Sequence, residues 1–324
     1  MEERQLGTSG IAVSRIILGC GNFGGIGSAP AFFGQGESRE EAFALMDDAW
    51  EQGVTTFDTA DAYGGGSSET WIGEWLKGRG PEVRDRVVLS TKVFHSVEGD
   101  PADHGLAPAR VRRQLEGSLR RLGVERVDMY LTHEPDPDTP LEETLAAMDE
   151  LVAEGKVGAV GASNVDGPLL GSGLGTYRWA QNSYSLLDRE PEREVLPLCR
   201  EHGLGFTPFG PLAGGWLTGK YRRGEEPPPG SRMATRPEPY LALRNERVYA
   251  GIEELGRRAA ARGVDAATLA FAWLFAQPEV TAVVVGPRRP EHLEPAVRSL
   301  DLRLDDAEAA ELARLFEPGP VDSS

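Results

Sequence analysis

Four side chains in this sequence are suited to moving a proton onto an oxygen. Asp58 ends Thr55-Thr-Phe, and Tyr63 follows five residues later in Ala60-Asp-Ala-Tyr-Gly-Gly-Gly66. Lys92 ends Val87-Val-Leu-Ser-Thr, and His133 follows Asp128-Met-Tyr-Leu-Thr. A tyrosine hydroxyl ionises near pH ~10, so at neutral pH it is a weak acid. A neighbouring ammonium stabilises the phenolate and eases release of the proton. Asp58 can hold Lys92 charged and oriented, and His133 can hydrogen-bond the substrate oxygen or relay its proton. Taken singly, each has a plain structural use: a loop cap, a turn tyrosine, a packed histidine. Converging, they point to one site. No metal is expected. Histidines 95, 104, 133, 202 and 292 and the two cysteines, Cys20 and Cys199, show no ligand spacing.

Each of the four residues ends or closely follows a short apolar run. Eight such runs read as strands: 16–19, 55–58, 87–91, 127–131, 159–163, 178–182, 205–208 and 280–286. Near-continuous apolar character suits strands of a parallel sheet covered on both faces. Helical segments lie between them. Ser38-Arg-Glu-Glu41 reads as a capping box, followed by Phe43, Met46 and Trp50. Thr139-Pro-Leu-Glu142 reads as another, with Pro140 at the first helical position and Leu141, Leu145, Met148 and Val152 on one face. Val111, Leu115, Leu119 and Leu122 form a third stripe, and Arg110, Arg112, Arg113, Arg120 and Arg121 beside it read as a solvated face.

Two regions break the alternation. Gly167–Gly175 is too short and glycine-rich for a full helix. Thr218–Tyr240, with Pro227–Pro229, reads as a long excursion over one end of the fold. Arg4–Leu6 and Ile11–Val13 around Gly7-Thr-Ser-Gly10 read as a hairpin closing the other end. Eight strand–helix units predict an α/β fold, a closed (β/α)8 TIM barrel with an N-terminal β-hairpin. Residues 1–324 form one domain in this reading. The barrel architecture carries its chemistry at the C-terminal strand ends, where the four residues fall.

Composition narrows the partners. The net charge of −17 argues against nucleic acid, whose binding requires clustered cations. No apolar run reaches the roughly 20 residues of a membrane span. The first residues lack the apolar core of a signal peptide, and two distant cysteines suit a reducing cytoplasm. Two motifs mislead. Gly19-Cys-Gly-Asn-Phe-Gly24 has dinucleotide-fingerprint spacing, but more glycine-rich coil follows it instead of a helix. Gly214–Lys220 approaches a P-loop, but Tyr221 replaces the hydroxyl that would hold magnesium.

Several segments together resemble the aldo-keto reductase superfamily, in particular its bacterial and potassium-channel-β-subunit-like branches. They are Arg4–Gly10, Phe57–Tyr63, Ser90–Lys92, Tyr130–Asp136, Gly155–Asn164, Gln181–Ser185 and Pro211–Tyr221. The resemblance implies NADP(H) bound in extended form and reduction of aldehydes or ketones to alcohols. It implies Tyr63 as general acid, assisted by Lys92 and Asp58, with His133 orienting the carbonyl. It places Ser163, Asn164 and Gln181 on the carboxamide and Phe209 stacked on the nicotinamide. Gly210, Pro211, Leu212, Gly214 and Lys220 would cover the pyrophosphate, and Gly286, Arg288 and His292 would lie near the adenosine phosphate. Gly19, Cys20, Gly21 and Asp58 would flank the cofactor.

Arg288 and Arg289 favour a 2′-phosphate, hence NADP(H). His292, Pro295 and Ala296 depart from the Gln, Glu and Asn that often contact adenine in the family. The chain after Leu315 is too short for a long C-terminal lid, so substrate contacts are expected from Phe23, Phe32, Phe33, Phe94, His95 and Trp216. The expected partner is a small carbonyl compound, sugar-like ones included, and the oligomeric state is left open, a monomer included. Two other readings stand beside this one. The chain would be an NADP(H)-binding regulatory subunit with little turnover, or a Schiff-base lyase using Lys92.

Overall fold

The computed structural model describes residues 1–317. The chain opens with a two-stranded antiparallel hairpin, β1 (Glu3–Gln5) and β2 (Ala12–Ser14). Eight parallel strands follow: β3 (Ile16–Gly19), β4 (Thr56–Asp58), β5 (Val88–Val93), β6 (Val127–Thr132), β7 (Val157–Ser163), β8 (Tyr177–Gln181), β9 (Gly205–Phe206) and β10 (Val283–Val285). They pair in chain order from β3 to β9, and β10 pairs with β3. A parallel bridge between Phe206 and Val280, with bonds from Thr281 N to Phe206 O and Val284 N to Pro208 O, closes the ring. The architecture is the expected (β/α)8 barrel with its N-terminal hairpin.

The helices are α1 (Arg39–Glu51), α2 (Ser67–Lys77), α3 (Pro81–Arg84), α4 (Pro108–Leu122), α5 (Leu141–Ala153), α6 (Gly167–Ser172) and α7 (Val195–His202). They continue as α8 (Arg232–Thr235), α9 (Glu246–Ala261), α10 (Ala266–Ala276), α11 (Glu294–Ser299) and α12 (Asp306–Arg314). Among the described residues, no single helix is long and apolar enough to cross a membrane. The chain beyond residue 317, which holds most of the tail after Leu315, lies outside the described residues.

Two apolar layers hold the barrel. Ile17, Met129, Leu131, Ala159, Trp179, Ala282 and Val284 fill the interior, and Leu6 and Val13 of the hairpin plug its lower end. The plug sits close: a Cβ on Gly7, whose φ is +52°, would fall 2.7 Å from Arg178 O. Only glycine fits there. The larger layer lies between strands and helices and includes Ile16, Met46, Trp75, Leu115, Tyr130, Phe206 and Trp273.

The two capping motifs behave differently. Ser38 accepts from Glu41 N, and Glu41 accepts from Ser38 N, so the capping box forms as expected. Thr139–Glu142 does not form one. Pro140 is itself the N-cap, and α5 starts at Leu141 without a side-chain cap. The buried face of α5 is also turned by one position, with Thr144, Ala147, Met148 and Leu151 inside. Short Thr and Ala side chains let the helix lie close to the sheet.

The stripe Val111, Leu115, Leu119 and Leu122 is buried as expected, but its arginines are not all solvated. Arg110 is 5% exposed and donates to the carbonyls of His95, Asp103 and Gly105. Arg121 pairs with fully buried Glu69 at 2.7 Å. Both tie α4 to the loops that carry the site. The weak segment after β7 is a six-residue helix capped by Asp166. The excursion after Thr218 contains α8 and a short turn at Glu238–Leu243.

Candidate active site

The C-terminal ends of β4, β5 and β6 bring the four proton-handling residues together. Lys92 comes from β5, 1% exposed, and its ammonium lies 2.5 Å from Asp58 Oδ2. It also donates to Thr59 O at 2.8 Å and to Tyr63 Oη at 3.4 Å. Asp58 ends β4 and accepts further bonds on Oδ1 from Ser90 at 2.8 Å and Gln181 at 3.2 Å. Tyr63 Oη lies 3.4 Å from His133 Nε2, and the two rings meet edge to face. The Lys92 ammonium is 5.0 Å from the Tyr63 ring centre. The tyrosine therefore has a cation on one side of its hydroxyl and an imidazole on the other.

Charge follows from this geometry. Burial raises the Tyr63 hydroxyl above its ordinary pKa, while Lys92 pulls the other way. The tyrosine stays protonated at neutral pH with a cation ready for the phenolate. Burial alone would lower Lys92, but Asp58 and Tyr63 hold it above the usual lysine value. His133 is pushed well below its usual pKa, first by burial and then by Lys92 and His95. It is neutral at pH 7, with Nδ1 buried and unpartnered.

The loop carrying Tyr63 is shaped by glycine. Gly64, Gly65 and Gly66 have φ values of +58°, +65° and +86°. A Cβ on Gly64 would fall 2.9 Å from the backbone carbon of Gly24, so this loop lies directly on the loop after β3. α2 then starts at Ser67, and its Ser68 hydroxyl donates to Cys20 O.

The residues expected around a nicotinamide lie at the same end of the barrel. Ser163 ends β7 and Gln181 ends β8, both buried. Their amide partners are shared with the protein: Gln181 Nε2 serves Asp58, and Asn164 Nδ2 serves His133 O and Glu134 Oε1. Asn164 sits in the left-handed region at φ +55°, which asparagine tolerates better than most residues. Phe209 is partly buried above the barrel interior. Gly210, Gly214 and Gly215 are left-handed (φ +67°, +65° and +92°), in a turn that continues from Pro211 and Leu212. The Lys220 ammonium folds over this turn; a Cβ on Gly215 would meet its Nζ at 2.5 Å. Gly286 and Arg288 follow β10, and His292 Nδ1 accepts from Arg288 N. The glycine turn, its cation and the arginine beyond it fit an extended dinucleotide.

Several expected residues turn their side chains away from the open end of the barrel or have none to offer. Cys20 is fully buried, with its thiol turned to Leu18 O and its backbone N bonded to Asp58 O. Its side chain is closed to a ligand. Gly19 is in the sheet, and a Cβ there would fall 2.9 Å from Val284. Gly19 and Cys20 are joined to Asp58 through the backbone, and Gly21 lies against the Tyr63 ring. Phe23 is 1% exposed, and Trp216 is 1% exposed between Tyr221 and Tyr249, so both are core residues. Phe32 lies under Arg236, and Phe33 packs near Gly65. Phe94 and His95 stand at the rim. His95 meets the His133 ring edge to face, with its Nε2 3.8 Å from Glu134.

Three charged groups near the site carried no sequence signal of their own. Glu134 holds Asn164. Glu37 binds Arg288. Asp61, two residues before Tyr63, is fully buried with neither carboxylate oxygen partnered. A buried carboxylate looks like any surface acid when read along the chain.

With this geometry in view, the comparisons agree with it. Residues 15–317 match the model of the aldo/keto reductase family. An uncharacterized oxidoreductase of Bacillus subtilis, YrpG, is 36% identical, covering 99% of this chain and 97% of the relative. An NADH-specific methylglyoxal reductase of Escherichia coli is 33% identical, covering 98% and 99%. A probable voltage-gated potassium channel subunit beta of Oryza sativa subsp. japonica is 33% identical, covering 93% and 92%. Barrel, site and full-length similarity coincide, and the chain belongs to the aldo/keto reductase family of oxidoreductases.

Proposed function

We propose that this protein reduces the carbonyl group of small aldehydes or ketones to an alcohol, with NADP(H) as cofactor and Tyr63 as proton donor. The observation that carries the reading is the Tyr63 hydroxyl, set 3.4 Å from both Lys92 Nζ and His133 Nε2. When bound, the nicotinamide supplies a hydride to the carbonyl carbon. The residues do the rest. Neutral His133 orients the carbonyl oxygen toward Tyr63. The Tyr63 hydroxyl gives its proton to that oxygen as negative charge builds there. The phenolate left behind is stabilised by Lys92, whose charge is fixed by Asp58. The products are an alcohol and the oxidised cofactor, and solvent returns the proton to Tyr63.

Ser163, Asn164 and Gln181 fix the carboxamide in this reading, through the polar atoms their protein bonds leave over. Phe209 stacks on the ring. The pyrophosphate lies against Gly210–Gly214 and Lys220. Arg288 and Arg289 face the adenosine end and support NADP(H). Phe33, Phe94 and His95 line the approach for substrate. The polar His95–Glu134 edge favours small hydroxylated or dicarbonyl compounds over long apolar ones, and the name of the Escherichia coli relative points the same way.

The channel-subunit relative supports a second reading, a cofactor-binding regulatory subunit. One experiment separates the two. NADPH and NADH oxidation is followed at ~340 nm across a panel of small aldehydes, ketones, dicarbonyls and sugars. Turnover with at least one class supports the reductase. Cofactor binding without turnover across the panel supports the subunit. Arg288→Ala is expected to raise KM for NADPH and spare NADH.

A further inference from the structure

Glu37 is difficult to explain as structure alone. It lies in the loop between β3 and α1, held by backbone bonds between Asn22 and Glu37 and between Gly24 and Glu37. Its side chain is 3% exposed, yet only Oε1 has a partner, the Arg288 Nε at 2.9 Å. Oε2 is buried and unpartnered. Burying a carboxylate costs free energy unless its oxygens are satisfied. Burial accordingly raises the Glu37 pKa, and Arg288 opposes the rise.

The other side of the pair is equally constrained. Arg288 Nη1 donates to Gly230 O at 2.6 Å, so two of its five N–H groups are committed within the protein. Around it stand Lys220 and Arg232, both lowered first by burial and then by the Arg288 charge. Arg232 is anchored in turn to Asn22 Oδ1 at 3.1 Å. Glu37 thus pairs with Arg288, one of three cations gathered at the end of the groove assigned to adenosine.

We propose that Glu37 is a built-in counter-anion that sets coenzyme selectivity, holding Arg288 in a bond that a ribose 2′-phosphate must share. This rests on the dinucleotide reading above. A carboxylate and a phosphate compete for the same guanidinium fork. The 2′-phosphate finds Arg288 partly engaged and partly neutralised, and it approaches a fixed negative charge. A ribose 2′-hydroxyl meets no such repulsion. Glu37 therefore narrows the advantage of NADPH over NADH that Lys220, Arg232 and Arg288 would otherwise give.

The test is direct binding, read by quenching of intrinsic tryptophan fluorescence and independent of turnover. NADPH, NADH and adenosine 2′,5′-bisphosphate are titrated into the intact chain and into Glu37→Gln. Glutamine keeps an oxygen for Arg288 Nε and removes the charge. The expected result is an NADPH and bisphosphate affinity higher by about five- to tenfold, with NADH changed less than about twofold. Glu37→Ala removes the same charge and must shift the ratio in the same direction, should the Gln variant not fold. An unchanged NADPH-to-NADH ratio in the folded variants overturns the inference and leaves the cofactor reading intact. If neither dinucleotide binds the unmodified chain, the cofactor reading fails and the inference with it.

Discussion

At the scale of single residues, the candidate site contains a buried ion pair that cannot be halved without cost. Lys92 and Asp58 are both nearly inaccessible. Removing one charge leaves the other uncompensated, which costs roughly 3–5 kcal/mol. Lys92→Met is therefore expected to lower stability by that order as well as abolish turnover, and a denaturant titration measures the first. His133 gives a pH signature. Its pKa is lower in the folded chain than in the unfolded one, so the unfolded chain binds the proton more readily. The contribution is present above about pH 6.5 and lost as pH falls below it. Asp61 acts in the opposite sense. Burial, then Glu69, raises its folded pKa well above the carboxylate value, so it costs stability as pH rises past about 4. Asp61→Asn is expected to gain stability relative to the parent chain between pH 4 and pH 8, measured as the difference in Tm across that range. Equal pH slopes for the two proteins would contradict this. The four residues proposed for proton handling were legible because chemistry restricts their types and the barrel rule restricts their places. Glu37, Asp61 and Glu134 were not, because a carboxylate's partner lies far away in sequence.

At the scale of elements, the site is held by joints between helices and loops. The Arg121–Glu69 pair fixes α4 to α2, and Glu69 also accepts from Thr91 of β5. Arg121→Met leaves Glu69 buried without its cation and is expected to cost roughly 3–5 kcal/mol. Arg120→Met, on the exposed side of the same helix, is expected to stay within about 0.5 kcal/mol. Parallel urea titrations compare them, and equal effects would return both arginines to the surface role suggested by their pattern. Helix periodicity identified the stripe of α4 but could not sort its arginines, since a long side chain reaches sideways past its own Cβ. The capping motifs show the same limit. Ser38 and Thr139 head similar motifs, yet only Ser38 caps. Ser38→Ala is expected to cost about 1 kcal/mol, seen as a lowered Tm.

At the scale of the whole molecule, eight strand–helix units close a barrel whose two ends do different work. The lower end is sealed by the hairpin and by Arg15, 2% exposed, which donates to the carbonyls of Phe275, Val280 and Thr281. That arginine ties β3 to the segment entering β10 and closes the ring. The upper end is left to loops, and it carries every group assigned to chemistry. Strand order and closure could be read from repeated apolar runs, because a parallel sheet covered on both faces leaves that pattern. The substrate loops left no comparable pattern: Phe23 and Trp216 are aromatic and near the rim in sequence, yet both turn into the core. The net charge of −17 does not preclude a local cationic groove, since Lys220, Arg232 and Arg288 gather at one place. In the proposed reaction Tyr63 gives the proton in a hydride transfer at this upper end. The most direct test of this step is a single-turnover measurement of Tyr63→Phe with pre-bound NADPH and a reactive small aldehyde, beside a binding titration of the same variant. NADPH affinity is expected to be unchanged and the chemical step slower by at least about a hundredfold. A Tyr63→Phe protein that transfers hydride at the parent rate would contradict this role for Tyr63.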